Sequence, residues 1–328
     1  MEVDYFKYID NFSKYKNVKS EAIIEGKIKN PKITIAIPTY KRNHLIKNAL
    51  DSALSQKDFD NYEVIIVDND DDFNNKELEN ILREYNNEKI SYYKNKKNIG
   101  MFGNWNRCIE LAKGEYISIL NDDDWLELNF LSEISKYIDG KRAIYTGTTT
   151  NDLREVKHII NESKLKKIVK KLYKVIKKMK KTRKLDIEDF FYGNRSAGSL
   201  GILFNRSAMF DLGGYNENFY PSTDYFFHTY YCYKYKILML KKELCHYRIQ
   251  ENESMKEETA IQWIEQGNQF RNFLIKEYLK NKKYIKESEV ISEKFKKNLK
   301  FWNIKVNYNE NLANNKKILI KEHLRNIF

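Results

Sequence analysis

The sequence has few cysteines and no long apolar segment, and each absence excludes a class of protein. Its three cysteines are odd in number and none lies in a Cys-x-x-Cys pair, which argues against a disulfide framework and a zinc site. They are Cys108, Cys232 and Cys245, and we expect buried thiols in a reducing cytosol. No stretch approaches the roughly 18 consecutive apolar residues of a membrane-spanning helix. Residues 1–19 lack the apolar core of a secretory signal, so we expect a cytoplasmic protein.

Arginine is scarce as well, because 48 of the 59 basic residues are lysine. Proteins that read nucleic-acid bases or clamp phosphates at two points rely on arginine, so we expect no nucleic-acid partner. Hydrophobic residues make up 41% of the 328 residues and aromatic residues 14%, which is enough for a globular protein with a substantial core.

From residue 32 onward, apolar β-type runs alternate with segments of helical periodicity. Strands are predicted at residues 32–39, 63–67, 90–93, 116–120 and 143–149. The segments between them place apolar residues three and four positions apart, as helices packed on a sheet do. Because the links are short, the alternation predicts right-handed βαβ units. The predicted fold class is therefore α/β, with a mainly parallel central sheet that is flanked by helices.

The remainder of the chain completes this domain and adds a tail. Further predicted elements are a strand at 198–204, a turn at 213–217, an aromatic helix at 221–235 and edge strands at 237–240 and 244–249. Helical patterns dominate after residue 257. The predicted organisation is a loosely structured or helical lead-in at 1–30, the α/β domain at 31–255 and a helical extension at 256–328.

Residues 164–184 differ from the rest of the domain, since they hold 12 lysine or arginine residues and no acid. The net charge of the chain is +13, so the other residues contribute only +1 (13 − 12). Apolar residues from Leu165 to Met179 recur with helical spacing, which predicts a basic amphipathic helix inserted in the domain. Our hypothesis is peripheral attachment to the anionic inner face of the cell membrane. The alternative is a solvated, lysine-rich insertion.

Acidic and hydroxyl side chains follow three of the predicted strands. They are Thr39 and Tyr40 after the first strand, Asp68 and Asp70 after the second, and Asn121, Asp122, Asp123 and Asp124 after the fourth. The carboxyl ends of parallel strands meet at one edge of the sheet, where open α/β folds bind ligands. Carboxylates there suit Mg²⁺ or Mn²⁺, held together with substrate phosphates. The alternative is that the last acids only cap the helix that follows them.

Together, the motifs of residues 30–255 resemble family 2 glycosyltransferases of the GT-A fold. In chain order they are Pro-Thr-Tyr-Lys-Arg at 38–42, Val-Ile-Ile-Val-Asp at 64–68, Asn-Ile-Gly at 98–100, Gly-Glu-Tyr-Ile at 114–117, Asp-Asp-Asp at 122–124, Gly-Gly-Tyr at 213–215 and Asp224. The resemblance implies an inverting, metal-dependent enzyme that moves a sugar from a nucleotide diphosphate-sugar, most often a UDP-sugar. The acceptor it implies is a hydroxyl of a glycan or lipid-linked saccharide, as in the synthesis of bacterial surface polysaccharides.

The resemblance also implies roles for residues that hold the donor. Thr39, Tyr40 and Asp68 would bind the base and ribose, together with Asp70. Arg248 stands in a Tyr-Arg-Ile-Gln stretch that is similar to a late motif of the family. It would contact the diphosphate or the acceptor.

Metal binding and catalysis are implied for a second group of residues. Asp123 would bind Mn²⁺ or Mg²⁺. This chain has Asn121 where the family usually has the first acid of its metal motif, and either Asp122 or Asp124 would compensate. Asp224 would be the catalytic base, although a threonine precedes it where the family usually has a glutamate.

Two other functions fit parts of the sequence. A sugar nucleotidyltransferase would share the fold and the metal, but it would need a glycine-rich loop after the first strand, and residues 38–42 contain no glycine. An inactive module that binds polyanions or a membrane surface through residues 164–184 would not need the acids at the strand ends. His228 and His246 are expected to be structural, and because His246 lies beside the Arg248 segment, a role in acceptor binding stays open for it.

Overall fold

The computed structural model describes residues 3–154, 181–250 and 255–327. Its strands are β1 (Ser20–Ile24), β2 (Ile33–Thr39), β3 (Tyr62–Asp68), β4 (Ile90–Asn95), β5 (Tyr116–Ile119), β6 (Trp125–Leu126), β7 (Ala143–Asp152), β8 (Thr182–Leu185), β9 (Ile202–Asn205) and β10 (Ile237–Ile249). Its α-helices are α1 (Ile46–Leu54), α2 (Glu77–Tyr85), α3 (Met101–Leu111), α4 (Phe130–Ile134), α5 (Ile187–Phe191), α6 (Arg206–Asp211), α7 (Thr223–Tyr235), α8 (Glu257–Leu274), α9 (Lys283–Asn298), α10 (Glu310–Ala313) and α11 (Lys316–Ile327). Short 3₁₀ turns are at Ser13–Tyr15, Ser135–Tyr137, Ala197–Ser199, Glu217–Phe219 and Leu299–Trp302, and a π-helical turn is at Ile275–Leu279.

The described strands form one mixed sheet, and its first half is largely parallel. The strand order is β1-β4-β3-β2-β5-β9-β7-β10-β6, and β8 pairs with β10. Strands β4, β3, β2 and β5 run parallel to one another, whereas β9 is antiparallel to both of its neighbours. All residues of β2 and β3 are buried, which explains their near-continuous isoleucine and valine runs, because a parallel sheet is covered on both faces. The predicted α/β class is confirmed.

The strand ends bring the polar side chains to one edge of the sheet. Thr39 and Asp68 are paired residues at the carboxyl ends of β2 and β3. Strand β5 lies on the other side of β2 and ends at Ile119, just before Asn121. The acids that follow β5 therefore emerge beside the end of β2.

The N-terminal segment is part of the sheet, in contrast to the loosely structured or helical lead-in predicted for 1–30. Strand β1 pairs antiparallel with β4 and covers what would otherwise be an open sheet edge. Earlier in the segment, Phe6 is buried, and its ring lies 5.0 Å from that of Tyr230. None of the residues of β1 is fully buried, so its sequence lacks the apolar run that identifies the inner strands.

Two strand predictions near the C-terminal part of the domain are corrected. The edge strands predicted at 237–240 and 244–249 are one strand, β10, which lies inside the sheet between β7 and β6. Its pairing with β7 shifts register between Leu240 and Cys245, so the polar residues there interrupt the apolar pattern without ending the strand. The strand predicted at 198–204 begins only at Ile202, because the chain before it forms a 3₁₀ turn.

The basic helix predicted at 164–184 lies mostly outside the described residues. Where the chain is described again, Thr182–Leu185 forms β8 and pairs with β10, so these residues are not helical. Within the described ranges, none of the helices is both long and apolar enough to cross a membrane. The three cysteines are buried and have free thiols, as predicted. The predicted C-terminal helices are present as α8 to α11.

Candidate active site

A direct hydrogen bond joins the ends of β2 and β5. The hydroxyl of Thr39 donates to Oδ2 of Asp122 over 2.8 Å, and both side chains are buried. Burial raises the pKa of Asp122 to about 6, because removal from water disfavours the charged carboxylate. The structure therefore brings together two of the residues predicted from separate strand ends.

Arg42 supplies the positive charge among the acids. Its Nη1 lies 3.1 Å from Oδ1 of Asp122, and its Nη2 donates to Oδ2 of Asp123 over 2.6 Å. Lys41 has a φ of +54°, and this left-handed residue lies in the loop that carries Arg42 over the acids. Burial opposes the charge of the guanidinium, but the two carboxylates outweigh burial and raise the pKa of Arg42. Arg42 is not among the predicted site residues. Its position as a cationic residue just beyond the end of β2 is the sequence feature that could have identified it.

Asp124 has its own partners, on the side of β10. Its Oδ1 accepts a hydrogen bond from the backbone N–H of Arg248 over 3.0 Å, and its Oδ2 accepts from Nδ2 of Asn121 over 2.9 Å. Burial, followed by the charge of Asp123, raises the pKa of Asp124 to about 7. The carboxylate of Asp124 therefore connects residues 121–124, the acid segment, to β10. Its predicted role in cofactor binding stays a prediction.

Asp122 and Asp123 are the two carboxylates that could hold a divalent ion. Among the described residues, no group of three or more His, Cys, Asp or Glu side chains is arranged to bind a metal. Mg²⁺ does not require such a set, because it binds through one or two carboxylates and takes its other oxygens from phosphates and water. The residues therefore fit an ion whose ligand set is completed by phosphate and water oxygens, at Asp123 with Asp122 beside it.

The contacts of Asn121 explain why an amide stands where the resembling family usually has an acid. Its Nδ2 donates to Asp124 and, over 3.2 Å, to the backbone carbonyl of Gly198. An ionised carboxylate could donate to neither group and would place a second negative charge beside Asp124. The neighbours of Asn121 thus require a donor at this position.

Asp224 lies in the first turn of α7 and accepts three hydrogen bonds. Oδ2 accepts from Nδ2 of Asn194 and from the N–H of Gly198, each over 2.8 Å, and Oδ1 accepts from the N–H of Tyr225. Burial raises the pKa of Asp224 in spite of these donors. Gly198 has a φ of +69°, which favours glycine, and its carbonyl accepts from Asn121. Gly198 therefore links the acid segment to the predicted base, and no motif in the sequence indicates it.

His228 follows Asp224 by one helical turn on α7 and holds the same loop, residues 194–199. Its Nδ1 lies 2.8 Å from the hydroxyl of Ser196. Its Nε2 lies 3.1 Å from the hydroxyl of Ser199 and 3.0 Å from that of Tyr215. Burial lowers the pKa of His228 to about 3, so the imidazole is neutral. The contacts agree with the predicted structural role, since the ring fixes two serines of the loop that reaches Asp224.

His246 and Arg248 both contact Trp125 from β10. The imidazole of His246 stacks on the indole with ring centroids 5.0 Å apart, and its Nε2 lies 2.7 Å from Oε1 of Glu127. The guanidinium of Arg248 lies 5.6 Å from the centre of the same indole. These contacts agree with a structural role for His246. The predicted contact of Arg248 with the diphosphate or the acceptor stays a prediction.

A polar cleft of about 320 Å³ opens beside the end of β3. It is lined by Lys41, Asn43, His44, Asp70, Asp72, Asn75 and Glu77. Asp70 is buried in its wall, and Nζ of Lys41 lies 3.9 Å from Oδ1 of this carboxylate. Tyr40, on the same loop as Lys41, is 42% exposed.

Asp68 supports this cleft. Its Oδ1 accepts from the N–H of Asp70 over 2.8 Å, and its Oδ2 accepts from the hydroxyl of Tyr92 over 2.9 Å. Nζ of Lys94 lies 3.7 Å from Oδ2. Burial raises the pKa of Asp68, although these donors oppose the shift. The predicted contact of Asp68 with a nucleoside stays a prediction, and its observed contacts fix the loop that carries Asp70.

Comparisons with known proteins agree with the fold and the motifs. Residues 34–203, more than half of the chain, match the family described as glycosyl transferase family 2. The GalNAc(5)-diNAcBac-PP-undecaprenol beta-1,3-glucosyltransferase of Campylobacter jejuni is 32% identical over 106 residues, which cover 32% of this chain and 33% of that protein. The matches to the first curated relatives span 34–41% of the lengths of those relatives.

Two solved structures share the fold across most of the chain. Staphylococcus aureus TarS 1-349 in complex with UDP-GlcNAc has a TM-score of 0.57 at 17% identity, covering 90% of this chain and 79% of that one. The mannosyltransferase PcManGT from Pyrobaculum calidifontis, in complex with GDP-Man and Mn²⁺, has a TM-score of 0.55 at 17% identity, covering 86% of this chain and 75% of that one. At these identities the likeness establishes the fold, and it confirms the predicted GT-A class.

Substituting Asn121→Asp tests the role of the amide as a donor. At pH 8 the new carboxylate would face Asp124 and the carbonyl of Gly198, so we expect the free energy of unfolding to fall by about 2–3 kcal/mol. Urea unfolding at pH 8 and at pH 5 measures the change, which should shrink at pH 5 because one proton can bridge the two acids. The exposed Asn80→Asp is the matched control. Wild-type stability of Asn121→Asp at pH 8 would contradict the explanation.

The neutrality of His228 predicts a pH dependence of stability. A histidine in the unfolded chain takes up a proton near pH 6.5, whereas folded His228 does so only near pH 3. Neutral His228 therefore makes its full contribution to the free energy of unfolding above pH 6.5. This contribution is lost as the pH falls towards 3, by up to about 1.4 kcal/mol per pH unit. Between pH 7 and 5, the unfolding free energy of His228→Gln should thus fall less steeply than that of the wild type. The pKa values of Asp122 and Asp124 are raised in both proteins, so their effects on the unfolding free energy cancel in the comparison. Equal pH dependence of the unfolding free energy in the two proteins would refute the prediction.

Proposed function

This chain belongs to glycosyl transferase family 2, and on that premise we propose that it transfers a sugar from a nucleotide diphosphate-sugar to a hydroxyl of a glycan or lipid-linked saccharide. The observation that carries the proposal is the hydrogen-bonded link from Asp124 through Asn121 and Gly198 to Asp224. This link connects the segment that carries Asp122 and Asp123, the proposed cation ligands, to a separate buried carboxylate. Displacement at an anomeric carbon needs both, one for the leaving group and one for the attacking hydroxyl.

The polar cleft beside Asp70 is the proposed site of the nucleoside. Asp70, Asp72 and Glu77 in its lining are acceptors for ribose hydroxyls and base N–H groups, and they repel phosphates from this end. The exposed ring of Tyr40 is available to stack on a base. We propose a UDP-sugar as the donor. One fold neighbour was solved with UDP-GlcNAc and another with GDP-Man, so both nucleotides enter the tests below.

Mn²⁺ or Mg²⁺ is proposed to bind at Asp123, with Asp122 beside it. When bound, the ion neutralises charge that develops on the leaving phosphate oxygens, an effect worth several kcal/mol in the transition state. The hydrogen bond from Thr39 keeps the carboxylate of Asp122 next to that of Asp123.

Asp224 is the proposed catalytic base. As the acceptor oxygen bonds to the anomeric carbon, the bond from that carbon to the phosphate oxygen breaks, and the nucleoside diphosphate leaves with its electron pair. The hydroxyl proton of the acceptor passes to Asp224, whose raised pKa makes the carboxylate a stronger base. Attack on the face opposite the leaving group inverts the anomeric carbon.

Peripheral attachment to an anionic membrane through residues 164–184 is proposed from the sequence, since residues 155–180 are outside the described ranges. A lipid-linked acceptor lies at such a surface, and the Campylobacter jejuni relative is named for an undecaprenol-linked saccharide. Each lysine near an anionic surface adds about 1 kcal/mol of attraction.

Vesicle flotation tests this attachment. We expect the protein to float with vesicles that contain anionic phospholipid, because lysine charge provides the attraction. With neutral vesicles it should stay at the bottom of the gradient. Reversing charge at Lys166, Lys167, Lys170 and Lys171 (Lys→Glu) should abolish flotation. Lys→Glu at the exposed Lys57 is the control. Flotation that is indifferent to anionic lipid or to the reversed charges would refute the proposal.

Release of nucleoside diphosphate from a panel of UDP- and GDP-sugars, with candidate saccharide acceptors, tests the transfer activity. Wild type should turn over at least one donor with Mn²⁺ or Mg²⁺ and lose activity in chelator. Asp123→Ala should lose activity in the same way, because it removes the proposed ligand, whereas the fully exposed Asp60→Ala should not. Full activity in chelator would overturn the metal assignment.

The same assay separates binding from base catalysis. Asp224→Asn keeps the size of the side chain and loses its basicity, so we expect transfer to fall by about 10²–10⁴-fold with unchanged donor affinity in calorimetry. Transfer at the wild-type rate would remove Asp224 as the base.

A further inference from the structure

The two carboxylates that fit a divalent ion already share a cation of the protein. Arg42 contacts Asp122 through Nη1 and Asp123 through Nη2, at 3.1 and 2.6 Å. The acid side chains are only 6% and 10% exposed, whereas that of Arg42 is 35% exposed. The guanidinium is therefore the solvent-exposed member of this group, and the acids lie beneath it.

We propose that Arg42 is a resident counter-cation of the donor site. It offsets part of the charge of Asp122 and Asp123 when no donor is bound, gives up this place to the divalent ion, and then binds the diphosphate of the donor. This inference rests on the proposed metal-dependent transfer and adds an exchange of cations to it.

The charges of the site require such a cation before the donor binds. Two neighbouring buried carboxylates repel each other and are costly to keep ionised unless a positive charge is close. Among the described residues, Arg42 is the only lysine or arginine that forms an ion pair with Asp122 or Asp123. The two carboxylates and one guanidinium still leave a net negative charge, so a diphosphate needs a further cation. A divalent ion together with Arg42 supplies enough positive charge for both the acids and the phosphates.

The contacts of Arg42 allow it to move. Within the described part of the chain, its side chain has no hydrogen bond or ion pair beyond those to the two acids. Because a divalent ion would take its place, the buried acids would not be left without a cation when the guanidinium moves. Lys41 and Asn43, its neighbours in sequence, line the polar cleft, so a released guanidinium stays beside the donor. Its fork of N–H groups matches phosphate oxygens. Lys41 is not an equivalent cation, because its Nζ lies 3.9 Å from Asp70.

Binding of Mn²⁺ to the nucleotide-free protein, measured from the paramagnetic resonance signal of the free ion, tests the first step. Arg42→Met removes the charge and keeps an unbranched side chain. We expect it to bind Mn²⁺ about tenfold more tightly than wild type, because the ion no longer displaces a guanidinium. Arg83→Met is the matched control, since Arg83 forms an exposed pair with Glu79 on α2. Equal or weaker Mn²⁺ binding by Arg42→Met would overturn the proposal in favour of a permanent ion pair.

Thermal unfolding at pH 8 distinguishes the exchange of cations from a purely structural role of Arg42. Without metal, Arg42→Met should melt below wild type, because Asp122 and Asp123 repel each other, and saturating Mn²⁺ should restore its melting temperature. A loss of stability that Mn²⁺ does not restore would assign Arg42 a structural role and refute the exchange.

Calorimetric titration of UDP and GDP at saturating Mn²⁺ tests the second step. Arg42→Met should bind whichever of UDP and GDP the wild type prefers about tenfold more weakly than wild type does. Arg42→Lys should recover part of the lost affinity, because lysine restores the charge but lacks the paired N–H groups of a guanidinium. Wild-type affinity in Arg42→Met would refute diphosphate binding by Arg42. If wild type binds no Mn²⁺ even with nucleotide, the metal assignment fails as well. If Mn²⁺ affinity is lost in Asp123→Ala but unchanged in Arg42→Met, the metal assignment stands and only the role of Arg42 is refuted.

Discussion

Three consecutive carboxylates at the end of one strand can be buried only if each finds compensating partners. The acids at 122–124 are compensated by the hydroxyl of Thr39, the guanidinium of Arg42, the amide of Asn121 and the backbone N–H of Arg248. These partners come from the end of β2 and the loop after it, from the acid segment itself and from β10. The need to neutralise the acids and to satisfy their oxygens therefore draws distant parts of the chain to one point.

Sequence patterns predict the parts of this fold that depend on local burial. Strands β2 and β3 are buried throughout, so their apolar runs identify them, and parallel topology then brings their polar ends together. Strand β1 is partly exposed and exists because it pairs with β4, which no periodicity within residues 20–24 records. The polar residues 241–243 similarly hide the continuity of β10, since only the irregular pairing with β7 accommodates them.

Within the site, the residue types could be predicted but their partners could not. The acids after β5 follow from the strand and from the family resemblance, yet nothing local decides which of them faces Arg42. The reason for Asn121 is its bond to Gly198, 77 residues further along the chain, and such a contact leaves no motif. His228 stands in an aromatic helix whose sequence would look the same around an exposed histidine. Its burial against the serines of the 194–199 loop lowers its pKa and keeps it neutral well below pH 6.5.

The two halves of the site differ in how firmly they are held. Asp224 accepts three hydrogen bonds, and neutral His228 fixes the loop that supplies two of them. Arg42 is partly exposed, and its described side-chain hydrogen bond and ion pairs are those to Asp122 and Asp123 alone. A base must be oriented before the reaction, because displacement from its productive geometry lowers the rate steeply. In the proposed exchange, the guanidinium over Asp122 and Asp123 instead leaves these acids when the donor binds. Hydrogen bonds from fixed donors therefore suit the proposed base, and an exchangeable charge suits the proposed donor site.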